Sequence, residues 1–237
     1  MPDRTTQFFA WTIQPEMTPT LMGAGYGVGA YFFYRVATIN EWHRVAAIFP
    51  GIATFTWFMA IATVLHWGNF NHEHSTFVIW VVLYAITPVL IPVIWWLNRR
   101  TDPGAPEDGA VRIPRVVRLL GGAIGVATFV ASVGILIAPE TLINIWPWTV
   151  SPLTARILAG WFALFGVVNF ILGADPRWSA AKIPLQTQMG FLVLMLIGSA
   201  RMWENFDLSN PMTWGVLGVF VAYLVLVLLL YINLDAL

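Results

Sequence analysis

The chain has 237 residues, 58% of them hydrophobic and only 10% charged, with 13 Trp, 16 Phe and no Cys. A soluble domain carries roughly 25% charged residues, so the composition excludes an ordinary water-soluble protein and places the chain in a membrane. The net formal charge is zero, nucleic acid is not an expected partner, and the lack of cysteine removes disulfides, thiolate ligands and thiol redox chemistry.

Seven stretches are apolar over about the 20 residues a helix needs to cross a hydrocarbon core. They fall at 18–37, 46–66, 76–97, 118–138, 153–173, 184–203 and 211–233. Each is predicted helical, because an open strand leaves backbone groups unpaired in lipid. The first span carries Gly23, Gly25, Gly27 and Gly29, two interlaced G-x-x-x-G pairs, and Gly121 and Gly125 repeat that spacing in the fourth. Small residues so spaced let a neighbouring helix approach closely. Pro88 and Pro92 predict a bend in the third span. The connection from Asn98 to Pro114 reads as a solvated loop. Residues 139–152 read as an amphipathic segment along the outer surface. Trp11, Trp42, Trp67, Trp95, Trp96, Trp146, Trp148, Trp178 and Trp203 fall at span ends, as an interfacial aromatic belt does.

Basic residues set the predicted orientation. Nine of the twelve, Arg35, Arg44, Arg99, Arg100, Arg112, Arg115, Arg118, Arg177 and Lys182, lie on one face, and Arg4, Arg156 and Arg201 on the other. The positive-inside rule then puts the N-terminus outside and the C-terminus in the cytoplasm. No signal peptide is read at the N-terminus, and the expected location is the cell inner (plasma) membrane.

The halves of the chain resemble each other. Trp67-Gly68-Asn69-Phe70-Asn71 returns 136 residues later as Trp203-Glu204-Asn205-Phe206-Asp207. The same ungapped offset places Thr18 on Thr154, Trp42 on Trp178, Phe55 on Phe191, Met59 on Met195 and Ile61 on Ile197. A duplication at fixed offset defines architecture before any motif is read. The predicted fold is therefore all-α: one membrane domain over 1–237, with repeat one at 11–97, a linker helix at 118–138 and repeat two at 147–233. Three helices plus a linker is an even number, so the 3+1+3 repeats run parallel, related by an axis along the membrane normal.

That topology resembles the SWEET-type sugar transporters, without their matched prolines, and the microbial rhodopsins, without a lysine in the last helix for a Schiff base. A nearer resemblance is carried by Trp146-Pro147-Trp148-Thr149-Val150-Ser151-Pro152-Leu153-Thr154-Ala155-Arg156, with Phe9-Ala10-Trp11-Thr12-Ile13 and Leu65-His66. These segments resemble uncharacterised bacterial multi-pass membrane proteins of about this size. The resemblance implies a seven-helix membrane fold and imports no activity.

Two constellations could carry chemistry. His66, His72, Glu73 and His74 supply the ligand types and number of a tetrahedral metal site, or form a polar loop between spans. Glu140, Arg156, Arg201, Glu204 and Asp207 share the predicted outer face, as an anion site or as ion pairs that clamp helix ends, with Glu204 at i+3 from Arg201. No span has an acidic residue at its middle, which weighs against ion-coupled transport. No nucleophile, base and orienting group occur together, so an enzyme is not expected. The sequence points to an accessory or scaffold subunit of a larger respiratory or photosynthetic complex, with other membrane subunits, lipid, quinone or pigment as contacts. The alternatives are a facilitative carrier for a small neutral or anionic solute, using Asn169 and Gln188, and an outer-face metal-binding protein.

Overall fold

A computed structural model describes residues 4–104 and 109–236; the centre of the long connection, 105–108, lies outside them. The fold is all-α. Seven long helices run as α1 (Met17–Thr38), α2 (Ile48–Leu65), α3 (Ser75–Asn98), α4 (Arg115–Ile137), α5 (Pro152–Ala174), α6 (Trp178–Arg201) and α7 (Pro211–Asp235). Six of them, α2 to α7, are long and apolar enough to cross a membrane, which makes this a multi-pass membrane protein. The first helix matches them in length at 22 residues, but four Gly, three Tyr, three Thr and Arg35 dilute its apolar character.

All helix ends but one fall within three residues of the predicted spans. The exception is α6, which begins at Trp178 rather than 184. Pro184 resembles a helix start, but it sits inside the helix. The true boundary is made by Asp175, whose carboxylate accepts the Arg177 backbone N–H at 2.9 Å. The starts of α5 and α7 are capped in the ordinary way. Ser151 accepts from the Thr154 N–H at 3.2 Å and Asn210 from the Met212 N–H at 2.9 Å, each with proline at the first helical turn.

Packing pairs α1 with α6, α2 with α5, α2 with α3, α6 with α7, and α4 with α5. Glycine governs the closest crossing. A Cβ on Gly125 of α4 would fall 2.5 Å from the Phe170 nitrogen and 2.6 Å from the Gly166 oxygen, and one on Gly173 would fall 2.7 Å from Gly122 Cα. Backbone meets backbone there, which only glycine permits. The expected glycine faces are thus corrected in part. Nothing lies within 4 Å of a Cβ built on Gly23, Gly29 or Gly121, and Gly27 meets only Leu194 at 3.8 Å. In α4 the working glycines are Gly122 and Gly125, one residue off the predicted Gly121–Gly125 stripe. In α1 it is Gly25, where a Cβ would strike the Trp161 ring at 2.3 Å.

Aromatic segments close the end of the bundle where α1, α3, α5 and α7 begin. Trp11 sits edge-on to Phe70 (centroids 5.1 Å) and Trp80 (4.9 Å), while Trp148 sits edge-on to Phe206 at 5.3 Å. The backbone repeats the match: the Asn71 N–H donates to the Ala10 carbonyl at 2.8 Å, and the Asp207 N–H to the Pro147 carbonyl at 2.9 Å. The segment 139–152 is two-faced: Glu140, Thr141, Asn144, Ile145 and Thr149 are exposed, and the other face turns into the bundle. Trp146, Trp148 and Val150 are buried in the core, and Trp148 Nε1 donates to Thr18 Oγ1 at 2.9 Å. Trp11 and Trp178 are buried with them, so the interfacial belt is left to residues such as Trp67, Trp96 and Trp203.

At the opposite end Arg177 ties two connections together. Its guanidinium holds Asp102 through Nη1 at 2.5 Å and Nη2 at 3.0 Å, and Asp175 at 2.6 Å. Beside it the Ile113 N–H donates to the Pro176 carbonyl and the Trp178 N–H to that of Val111. The long connection is thereby fixed onto the α5–α6 turn. The Arg177 ion pairs hold Asp102 below the usual carboxylate range.

Candidate functional site

A cavity of about 220 Å³ opens on the side of the bundle, walled by α1, α2, α3, α5 and α6. The innermost wall is the Trp161 indole on α5, admitted by the bare face of Gly25. Phe55 lies against it at 4.4 Å between centroids and Tyr26 edge-on at 5.4 Å. Tyr26 and Tyr84 join α1 to α3 through a 2.8 Å bond between their hydroxyls. Tyr26, Phe33 and Leu83 are exposed at the rim, so the opening faces the lipid side.

The wall is apolar, and the polar atoms of its residues are turned away from the opening. The hydroxyls of Thr56, Thr87 and Thr187 each donate to a carbonyl of their own helix. The Trp161 Nε1–H is buried without a hydrogen-bond partner. Other buried indoles, on Trp11, Trp42, Trp146 and Trp178, share that state, but they sit at helix ends. Trp161 stands nine residues into the 23-residue α5, where an unmade hydrogen bond carries its full desolvation penalty, about 1–3 kcal/mol. No charged side chain lines the cavity among the described residues.

The histidine cluster does not assemble. His66 Nε2 meets Arg156 at 2.7 Å, His72 Nε2 meets the Trp67 carbonyl at 2.9 Å, and His74 meets the Gln7 carbonyl at 2.8 Å and the Thr76 hydroxyl at 2.7 Å. Glu73 is exposed, and its backbone N–H bonds to Asn71. Among the described residues no three His, Asp or Glu side chains converge as metal ligands. The reason is local: His66 ends α2 and turns toward α5, whereas His74 caps α3 with its own ring.

The predicted outer-face charges also separate. Arg156 is held by neutral partners, the Leu136 carbonyl at 2.9 Å and His66. Asp207 is occupied by the Ser209 N–H and hydroxyl, which hold it below the usual carboxylate range. Among the described residues Glu140, Arg201, Glu204 and Asp207 form no ion pair. The helical i+3 geometry expected for Arg201 and Glu204 is lost because α6 stops at Arg201 and Trp203–Asn205 form a 3₁₀ turn.

Arginine can only donate, so His66 accepts through Nε2 and is neutral, with its proton on Nδ1. Burial, and then the Arg156 charge, push its pKa below the ordinary histidine value. A histidine depressed in the fold is protonated first in the unfolded chain, so stability is lost as pH falls below about 6.5. Thermal midpoints measured between about pH 7.5 and 5.5 should therefore drop for the native protein and change less for His66→Asn. Equal slopes would remove His66 from the titration.

Two polar networks lie among the spans. Gln188 donates to Asn169 at 3.1 Å, and the Tyr223 hydroxyl bonds to both. Gln186 accepts from Tyr31 at 2.7 Å and from Arg35 at 3.1 Å, and donates to Tyr231 at 2.7 Å. Asn169, Gln186 and Gln188 stand out in the sequence as polar residues at depth. Their tyrosine partners do not, since a tyrosine in a span reads equally as apolar filler. The cavity residues Gly25, Tyr26, Tyr84 and Trp161 were likewise not marked as a group, because they come from α1, α3 and α5. No family model, curated protein or solved structure matches this chain.

Proposed function

We propose that the protein is a non-enzymatic accessory or scaffold subunit of a larger assembly in the cell inner membrane, and that it holds an apolar molecule in its side cavity. The observation that carries this reading is the cavity itself: apolar, bordered by aromatic rings such as Phe55 and Trp161, free of charge among the described residues, and open toward lipid. The groups that a carrier would present to a hydrophilic solute are instead engaged with one another, Asn169 with Gln188 and Tyr223, and Gln186 with Tyr31 and Tyr231. Large apolar faces remain for neighbours. On α4 Leu119, Leu120, Ile124 and Val130 are exposed, and on α7 Val219, Val221, Leu226 and Leu229. Faces of that size mark contact with lipid or with another protein.

The architecture proposed for this role has seven spans, α1 included, with the N-terminus outside and two parallel repeats joined by α4. Exchanging α1 with α5, α2 with α6 and α3 with α7 turns the α1–α6 contact into α5–α2, and the α2–α3 contact into α6–α7. That exchange, and the matched bonds of Asn71 and Asp207, support the duplication.

Gentle extraction from native membranes tests the role. The protein should migrate in a complex larger than itself, with other membrane polypeptides in fixed ratio. Migration as a free monomer, together with solute uptake in proteoliposomes that Gln188→Leu abolishes, would replace this reading with the carrier.

A further inference from the structure

At a place that shares no residue with the side cavity, we infer that Tyr31, Arg35 and Gln186 form a site for the phosphate of an anionic phospholipid, whose acyl chain lies along the outward stripe of α6 between α1 and α7. The site sits at the end of the bundle where α1 and α7 finish and α6 starts. Arg35 stands in the last turn of α1. An arginine in a membrane span is costly and normally finds a carboxylate, yet Arg35 has none among the described residues. Its partners are neutral: Nη1 donates to the Tyr31 hydroxyl at 2.7 Å and to Gln186 Oε1 at 3.1 Å. Asp235, at the end of α7, is taken by Lys182.

The network fixes the direction in which Arg35 can still donate. Tyr31 donates to Gln186 Oε1, and Gln186 Nε2 donates to the Tyr231 hydroxyl, both at 2.7 Å, so the amide keeps its carbonyl end toward Arg35. Tethered at Nη1, the guanidinium is not free to swing out to water as an unbound arginine does. Its Nε and Nη2 make no hydrogen bond, and neither is shut in the interior, because Arg35 is only half-buried. Those two N–H groups share one edge of a planar cation, the fork that takes two oxygens of a phosphate.

The surface beyond the fork suits a chain. Lys182, Gln186, Gly190, Val193, Leu194 and Ile197 recur every three or four residues on the side of α6 that the bundle leaves wholly or partly uncovered. The stripe is polar at the Arg35 end and apolar beyond it. From Gln186 to Ile197 it runs about 16 Å at 1.5 Å per residue, about half of the roughly 30 Å hydrocarbon core and so one leaflet deep. On the α1 side Gly27 lies beside Leu194 and adds no side chain, so the stripe stays open. A free phosphate leaves this stripe unused, and a neutral lipid leaves Arg35 unpaired. A phospholipid with net negative charge satisfies both.

The test uses the full chain in a neutral detergent with three probes: dioleoylphosphatidylglycerol, dioleoylglycerol (the same chains without phosphate) and inorganic phosphate. Binding is read as dose-dependent thermal stabilisation, because a ligand that binds the folded state raises its midpoint. The phospholipid should act at concentrations roughly tenfold lower than dioleoylglycerol needs, and inorganic phosphate over the same range should give no shift. Arg35→Gln should raise the phospholipid concentration required about tenfold. Arg99→Gln, which removes an exposed cation stacked on Trp96 at the same end, should leave it within about twofold. On the native protein, phosphatidylglycerol with a photoreactive group near the end of an acyl chain should label Val193–Ile197, a readout that needs no variant. Equal responses to the two lipids, equal losses in the two arginine variants, inorganic phosphate as effective as the phospholipid, or labelling confined to other helices would each overturn the inference. So would a neighbouring polypeptide's carboxylate seated on Arg35 in a density map of the native complex.

Discussion

Replacing Gly125 by leucine is expected to abolish accumulation of folded protein in the membrane, while the same replacement at Gly121, one turn earlier on α4, is expected to leave it near the native level. Overpacking a core ordinarily costs about 1–3 kcal/mol, because neighbouring side chains can shift. At Gly125 the obstructing atoms are the Phe170 nitrogen and the Gly166 oxygen of α5, which belong to a helix backbone and cannot shift alone. The whole α4–α5 contact must separate, and α4 has no other extensive packing partner. A Cβ on Gly121 meets nothing within 4 Å. Quantifying correctly folded protein in detergent extracts by fluorescence size exclusion separates the two variants, and equal yields would refute the crossing.

The second large effect concerns the other end of the bundle. Arg177→Leu should destabilise the protein by about 3 kcal/mol, the low end of the range for breaking one side of a buried charge pair. Arg177 is only 7% exposed, and its removal strands two carboxylates. A pH dependence distinguishes this clamp from simple packing loss. The Asp102 pKa is lowered in the fold by its bonds to Arg177, so its stabilisation is present above the unfolded aspartate value of about 3.9 and is lost as pH falls through the lower folded value. Acid unfolding of the native protein should therefore include a component that Arg177→Leu lacks. Identical acid profiles would show that the clamp contributes no electrostatic stability.

The parts of the fold that were legible in the sequence are those set by the membrane itself. A span needs about 20 apolar residues, and six such helices stand out whatever their neighbours are. The helix α6 starts six residues before the apolar stretch at 184–203, because its start depends on Asp175 and on pairing with the distant segment 111–113. Glycine spacing announced that helices would cross closely, but which glycine is used depends on the partner. Gly25 works because Trp161 arrives from α5, and Gly122 works where Gly121 does not because Gly122 is the one that faces Gly173 of α5.

The site was less legible for the same reason. His66, His72 and His74 are close in sequence, yet the end of α2 and the cap of α3 send their rings to different partners. Arg201 and Glu204 are spaced for a helical pair, and the helix stops between them. The cavity residues are scattered over nearly the whole chain and carry no motif, and an aromatic or glycine residue in a span is otherwise ordinary packing. What distinguishes Trp161 is an unpaired N–H at depth, a property of the folded surroundings and not of local sequence.

The most direct measurement is a density map of the protein in its native membrane, taken with its neighbours in place. The account predicts density for an apolar molecule in the side cavity beside Trp161 and Phe55, and a second polypeptide seated on the exposed faces of α4 or α7. A solitary bundle surrounded only by lipid, with the side cavity collapsed by closure of α1 onto α3, would contradict it.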